Sequence, residues 1–297
     1  MTDNKKLKIV FLGTPEFAVE SLDAIIKAGH EVAAVVTATD KPAGRGHKML
    51  PSAVKQYAVE HGIEVLQPER LKDEAFIGRL REIGADLFVV IAFRMLPEVV
   101  WSMPPMGTFN LHASLLPRYR GAAPINRAVM AGETRTGVTT FLLKHEIDTG
   151  DILRQEAIEI GPDENVGSVH DRLMHLGARV TVETLADLAA GTAAPKPQED
   201  CEATPAPKIF KEDCRLDPSM SVEQARNHVR GLSPYPGAWT DSACPGITMK
   251  VLSAAIATEK RPGRLYMDFA DGSLELIEIQ PAGKKAMAAA DFLRGLR

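Results

Sequence analysis

The first strongly patterned stretch, residues 7–13 (Leu7-Lys-Ile-Val-Phe-Leu-Gly13), is almost wholly apolar and runs into Thr14-Pro15 and a segment with helical spacing. That order predicts a buried strand, a tight turn and a helix entered through proline. Further strands are predicted at residues 31–37, near 63–66, and at 86–93, where Asp86-Leu-Phe-Val-Val-Ile-Ala-Phe93 carries the strongest buried-strand pattern of the chain. Helical patterns separate them. Strands alternating with helices predict a doubly wound, mostly parallel α/β sheet, with ligands bound beyond the carboxyl ends of the strands.

After a short strand at 108–111 the pattern changes. Residues 137–144 and 151–160 read as a pair of strands, expected to be antiparallel, around a loop at 145–150. A helix over 166–190 ends at Gly191, and residues 192–207 are rich in Ala and Pro. This stretch is read as a linker between a first domain, 1–191, and a second, 208–297. The second domain shows one helix (221–231), strands at 248–255, 264–269 and 274–280, and a short helix at 288–293, a pattern that predicts a small β-barrel of the OB type.

Composition is that of a globular protein, with 45% apolar and 25% charged residues, and no apolar run reaches membrane-spanning length. The polar start at residues 1–8 lacks the apolar core of a secretory signal, so a cytoplasmic location is expected. Three cysteines, Cys201, Cys214 and Cys244, fit neither a disulfide framework nor a zinc cluster. Net charge is −4; residues 208–297 hold 13 Lys and Arg against 11 Asp and Glu, leaving 22 against 28 elsewhere. A weakly basic second domain suits a phosphate backbone and a neutral structural module about equally.

The chemistry concentrates after the 108–111 strand. Alternation sets Asn110 and His112 on one face of that strand. A side-chain amide beside an imidazole can stabilise an oxyanion and manage a proton, as acyl transfer to an amine requires. Thirty-six positions further on, Ile147-Asp-Thr-Gly-Asp151 forms a tight loop able to present Asp148 to the same site. Taken singly, a histidine near a strand end is more often a structural group, and Asp-Thr-Gly-Asp is an ordinary turn sequence.

The combination is more specific. Asn110-x-His112-x-Ser114-Leu115-Leu116-Pro117, Arg120-Gly121, Pro124 and Asp148-Thr149-Gly150-Asp151 together resemble the signature of the 10-formyltetrahydrofolate-dependent formyltransferases. The resemblance implies a Rossmann-like formyltransferase domain, Asn110, His112 and Asp148 as catalytic residues, and a folate contact along Ser114, Leu115, Leu116 and Pro117. It also implies 10-formyltetrahydrofolate as formyl donor, without a metal. Four further stretches, beginning at Phe11, Asp40, Lys208 and Leu232, are similar to the members of this family that act on methionine esterified to initiator tRNA, and they extend the resemblance along essentially the whole chain. The chain departs from its relatives at Ala92-Phe93-Arg94, where Ala-Tyr-Gly is common beside the pterin pocket.

On this reading the methionyl amine attacks the formyl carbon on folate N10. Asn110 binds the developing oxyanion, His112 shares that role or shuttles the proton, and Asp148 holds the ring and favours its protonated form. Residues 40–49 carry Lys41, Arg45 and Lys48 around two glycines and are expected to approach the tRNA acceptor end, Arg45 foremost; a solvated basic loop is the plain alternative. Lys208, Lys211, Lys284 and Lys285 would extend the basic path. His145, three positions before Asp148, is a weaker competitor for the catalytic role. The expected protein is a monomer with folate and initiator methionyl-tRNA as partners and no membrane. Rivals are formylation of a small amine such as an amino sugar nucleotide or glycinamide ribonucleotide, hydrolysis of the folate to formate, a nicotinamide dehydrogenase, and a non-catalytic tRNA-binding protein. Gly13-Thr-Pro-Glu lacks the G-x-G-x-x-G fingerprint, which weakens the dehydrogenase reading.

Overall fold

A computed structural model describes residues 6–43 and 48–296. In chain order its elements are β1 (Lys8–Gly13), α1 (Glu16–Lys27), β2 (Glu31–Val36), β3 (Lys41–Ala43), β4 (Lys48–Leu50), α2 (Ala53–Glu60), β5 (Glu64–Leu66), α3 (Glu74–Ile83) and β6 (Leu87–Ile91). There follow α4 (Glu98–Trp101), β7 (Thr108–His112), β8 (Arg120–Gly121), α5 (Pro124–Met130), β9 (Arg135–Leu142), β10 (Ile152–Glu159) and α6 (Val166–Ala190). The remainder holds β11 (Pro205–Ala206), α7 (Val222–Leu232), β12 (Ala238–Thr240), β13 (Met249–Ile256), β14 (Leu265–Asp268), β15 (Ser273–Pro281), β16 (Met287–Ala288) and α8 (Ala289–Arg294).

Two compact units are present, and they interleave along the chain. One comprises residues 1–120, 137–157 and 171–204; the other comprises 121–136, 158–170 and 205–297. Helix α5 and the start of α6 belong with the second unit, and residues 192–204 with the first.

The first unit is built on a seven-stranded sheet in the order β10-β9-β7-β6-β1-β2-β5. The ladder from β5 to β7 is parallel, and β9 runs antiparallel to β7. Strand order reverses direction between β1 and β6, so the crevice of this doubly wound sheet opens beyond their carboxyl ends, at Gly13 and Ile91. Central strands are apolar on both faces because helices cover both: Phe11, Phe88, Phe109 and Phe141 are fully buried. On one face Val10, Leu12, Val36, Phe88 and Val90 pack with Phe76, Ile77 and Leu80 of α3. That helix is fixed at both ends, by the Asp73 carboxylate accepting from the Phe76 amide at 3.0 Å and by Gly84 in the left-handed region at φ 59°.

The second unit carries an antiparallel sheet ordered β12-β13-β15-β14, with β16 on β15. Its core sets Val229 and Leu232 of α7 and Phe292 of α8 against Val251, Leu265, Leu276 and Ile279. β12 and β14 are the ends of this ladder. Helix α7 starts in a capping box between Ser221 and Gln224. It meets α5 closely: Asn126 Nδ2 donates to the Gly231 carbonyl at 2.8 Å, and a Cβ at Gly231 would stand 2.3 Å from the Met130 side chain. No helix among the described residues is long and apolar enough to cross a membrane.

Candidate active site

Strand β7 delivers Asn110 and His112 at its carboxyl end, with Asn110 paired in register to Val90 of β6 and His112 to Thr139 of β9. The histidine is buried, at 6% exposure. Its Nε2 lies 2.8 Å from the Tyr119 carbonyl oxygen, which can only accept, so Nε2 carries the hydrogen and donates it. Its Nδ1 faces Asp148 Oδ2 at 3.8 Å, close for charges but longer than a hydrogen bond. Asn110 is half-buried, and among the described residues its amide makes no hydrogen bond within the protein.

The loop between β9 and β10 brings Asp148 to the ring. Thr149 Oγ1 donates to the Glu146 carbonyl at 3.0 Å, and Lys144 Nζ pairs with Asp151 at 2.7 Å, so the second carboxylate of the Asp-Thr-Gly-Asp turn is engaged at its edge. Gly150 is required by proximity, since a Cβ there would fall 1.5 Å from the Leu142 carbonyl oxygen. Asp148 itself adopts φ 55° and Tyr119 φ 62°, left-handed backbone that costs L-residues on the order of 1 kcal/mol or more each. Two strained positions thus flank the imidazole, one on each side.

The segment expected to touch folate is mostly internal. Ser114 is fully buried and donates Oγ to the Arg118 carbonyl at 2.7 Å; Leu116 and Pro117 are buried, and Leu115 is half-buried. Thr139 holds this turn from the neighbouring strand: its Oγ1 donates to Ser114 O at 2.6 Å and accepts from the Leu116 amide at 3.2 Å. Gln155 Nε2 adds donations to Leu116 O and Thr139 Oγ1, both at 2.9 Å.

Arg94, the unexpected residue beside the strand β6 end, turns to the neighbouring loop. Its guanidinium donates to the Glu69 carbonyl at 2.9 Å and also to the Pro68 carbonyl. His145 points away from the dyad, 87% exposed and 3.6 Å from Glu98.

The basic stretch 40–49 is anchored at its base, where Asp40 accepts from Lys55 at 2.6 Å and from Gln67 at 2.8 Å. Lys41 stands exposed in β3, which pairs antiparallel with β4, a pairing the alternation did not reveal. Lys48 falls in β4, and Arg45 lies outside the described residues.

Sequence reasoning missed the residues that hold the site. Gln198, inside the Ala- and Pro-rich stretch read as a linker, donates Nε2 to the carbonyls of Asp148 and Gly150, each at 2.8 Å. Its Oε1 accepts from Arg120 Nε at 3.1 Å and Nη2 at 2.8 Å, and Arg120 also reaches Asp200 at 2.8 Å. Thr204 Oγ1 accepts from the Tyr119 amide at 2.9 Å. Composition carried no signal for these contacts.

A strand-end amide, a buried imidazole and a loop carboxylate on a doubly wound sheet are groups that acyl transfer to an amine can use. Residues 7–185 match the formyl transferase model and residues 208–297 match the formyl transferase C-terminal domain, so the chain belongs to the formyl transferase family. It is 50% identical over 307 residues to the methionyl-tRNA formyltransferase of Bacteroides fragilis, covering 97% of this chain and 95% of that one. With the methionyl-tRNA formyltransferase of Parabacteroides distasonis the identity is 52% over 315 residues, covering 98% and 96%. The fold also matches the crystal structure of WlaRD, a sugar 3N-formyl transferase, at a TM-score of 0.69 and 17% identity, covering 95% of this chain and 100% of that one.

Proposed function

We propose that this protein transfers the formyl group of 10-formyltetrahydrofolate to the amino group of methionine esterified to initiator tRNA, giving N-formylmethionyl-tRNA for translation initiation. The site reading rests on one observation above all: His112 is anchored through Nε2 to an internal carbonyl, which leaves Nδ1, facing Asp148, as the nitrogen available for proton transfer. The choice of acceptor rests on the two methionyl-tRNA formyltransferases that match over nearly their full lengths.

In this reading folate supplies the formyl carbon, and the chain's own groups do three jobs. The Asn110 amide, without a hydrogen-bond partner among the described residues, donates to the oxygen that gains charge as the amine attacks. Nδ1 of His112 takes or returns the proton that must leave the attacking amine and reach the departing nitrogen. Asp148, 12% exposed, keeps the ring turned and stabilises a charge on it. The folate meets the turn Ser114, Leu115, Leu116 and Pro117 largely through backbone, because three of those four side chains are buried. Lys41, Arg45 and Lys48 meet the tRNA acceptor end as phosphate contacts, which position without reading sequence. Residues 1–191 form the catalytic domain, 192–207 the connection and 208–297 the second domain of a cytoplasmic monomer.

The test is acceptor choice. Purified protein with 10-formyltetrahydrofolate is offered initiator methionyl-tRNA, free methionine or a nucleotide-linked amino sugar, and products are separated by chromatography. Formylmethionyl-tRNA alone is expected. A formylated sugar, or formate released with no acceptor present, overturns the reading.

A further inference from the structure

We infer that Gln198 and Thr204 are positioning residues for the catalytic dyad, and that residues 198–204 serve as a template for the site rather than as a passive connection. The inference rests on the assignment of His112 and Asp148 made above. Four contacts carry it. Gln198 Nε2 donates to Asp148 O and Gly150 O, each at 2.8 Å, while Thr204 Oγ1 accepts from the Tyr119 amide at 2.9 Å. Tyr119 in turn presents its carbonyl to His112 Nε2 at 2.8 Å. One short segment therefore fixes the backbone behind the carboxylate and the backbone behind the imidazole.

The chemistry of the amide makes the arrangement specific. Two carbonyls lie on one side of Gln198 and the Arg120 guanidinium on the other, so only one orientation of the amide satisfies all four hydrogen bonds. Glutamate would keep the bonds to Arg120 and lose both donations to the loop. The residues being held are the strained ones: Asp148 at φ 55° and Tyr119 at φ 62° sit where an L-residue stays only if its surroundings hold it. Gln198 bonds the carbonyl of the first and Thr204 the amide of the second. Released, the Asp148 backbone would relax toward negative φ and swing its carboxylate from the ring.

The experiment measures kcat and KM for formyl transfer in the full-length protein carrying Gln198→Ala, with the thermal midpoint recorded alongside. Misplacing a catalytic group by about 1 Å predicts a fall in kcat of about 10- to 100-fold. KM for both substrates should stay within about twofold, since the binding groups are untouched. In an Asp148→Asn background the same substitution should cost less than about threefold, because the carboxylate it positions is already gone. A folded Gln198→Ala with wild-type kcat overturns the inference, as do losses that multiply in the double variant. Should Gln198→Ala fail to fold, Gln198→Glu and Thr204→Val carry the same prediction; failure of all three to fold makes the segment structural only and also overturns it. A wild type unable to formylate any amine counts against the proposed function, whereas an active wild type with an equally active folded Gln198→Ala counts against this inference alone.

Discussion

The Asp148 carboxylate stands 3.8 Å from His112 Nδ1, while the other nitrogen of the same ring donates to the Tyr119 carbonyl at 2.8 Å. The two nitrogens thus have separate roles, in which Nε2 fixes the ring in the fold and Nδ1 meets the group that can bear on a proton. Replacing Asp148 by Asn tests this division cleanly, because Asn tolerates left-handed backbone and leaves the loop path intact. We expect kcat for formyl transfer to fall by about 100-fold or more, with the thermal midpoint nearly unchanged. An active Asp148→Asn would mean that the carboxylate's charge has no part in the reaction.

Asn110→Ala removes an amide with no hydrogen-bond partner among the described residues, so stability should change little. Catalysis should suffer instead, by about 100- to 1,000-fold in kcat, the usual cost of deleting one oxyanion donor. Steady-state kinetics with saturating folate and tRNA separates this from a binding defect, which would raise KM alone.

Gly150→Ala should be severe for a mechanical reason. The new Cβ would lie 1.5 Å from the Leu142 carbonyl oxygen, so the loop must move. A loss of about 2 to 4 kcal/mol in unfolding free energy is expected, together with a fall in kcat as Asp148 shifts. Gly191→Ala is the control: it has φ 69° but nothing within 4 Å, so only the backbone penalty of about 1 kcal/mol applies and kcat is retained.

Acid should weaken the fold well above the carboxylate range. Burial pushes His228 below its ordinary value against weaker opposing hydrogen bonds from the Cys214 and Asp213 backbone, and Arg127 adds to the depression; burial alone lowers His30. His228 Nε2 is buried without a hydrogen-bond partner among the described residues, and His30 Nδ1 accepts from the Leu7 amide at 3.3 Å, so both are held neutral. The unfolded chain binds these protons first, so their stabilisation is complete above about pH 6.5 and is lost as pH falls through the lower folded values. Carboxylates depressed by partners, such as Asp23 beside Lys27, add their loss only at lower pH. The thermal midpoint should drop between pH 7.5 and 5.5, with a smaller drop in His228→Asn; a midpoint that holds or rises over that range contradicts the assignment.

The doubly wound sheet was legible because its strands are buried on both faces and so read as unbroken apolar runs, as in Leu87–Ile91. The candidate site residues were singled out for another reason: strand alternation set Asn110 and His112 on one face, and a glycine-bearing turn placed Asp148 in a loop, where the structure has it 3.8 Å from His112. What escaped notice depended on contacts distant in sequence. Nothing in the composition around Gln198 distinguishes a residue that donates to the Asp148 carbonyl fifty positions away from one in a loose connection. The same holds for α5, whose packing with α7 through Asn126 and Gly231 decides the unit to which it belongs. The short strands β3, β12 and β16, three residues or fewer each, fall below the length at which alternation can be read.

The most direct measurement is formyl transfer from 10-formyltetrahydrofolate to initiator methionyl-tRNA by the wild type and by His112→Ala, with uncharged tRNA as control. Formylmethionyl-tRNA from the wild type, reduced at least about 100-fold in the folded His112→Ala and absent with uncharged tRNA, is the predicted result. A folded wild type that binds folate yet leaves that tRNA unformylated, or a His112→Ala as active as the wild type, would contradict the account.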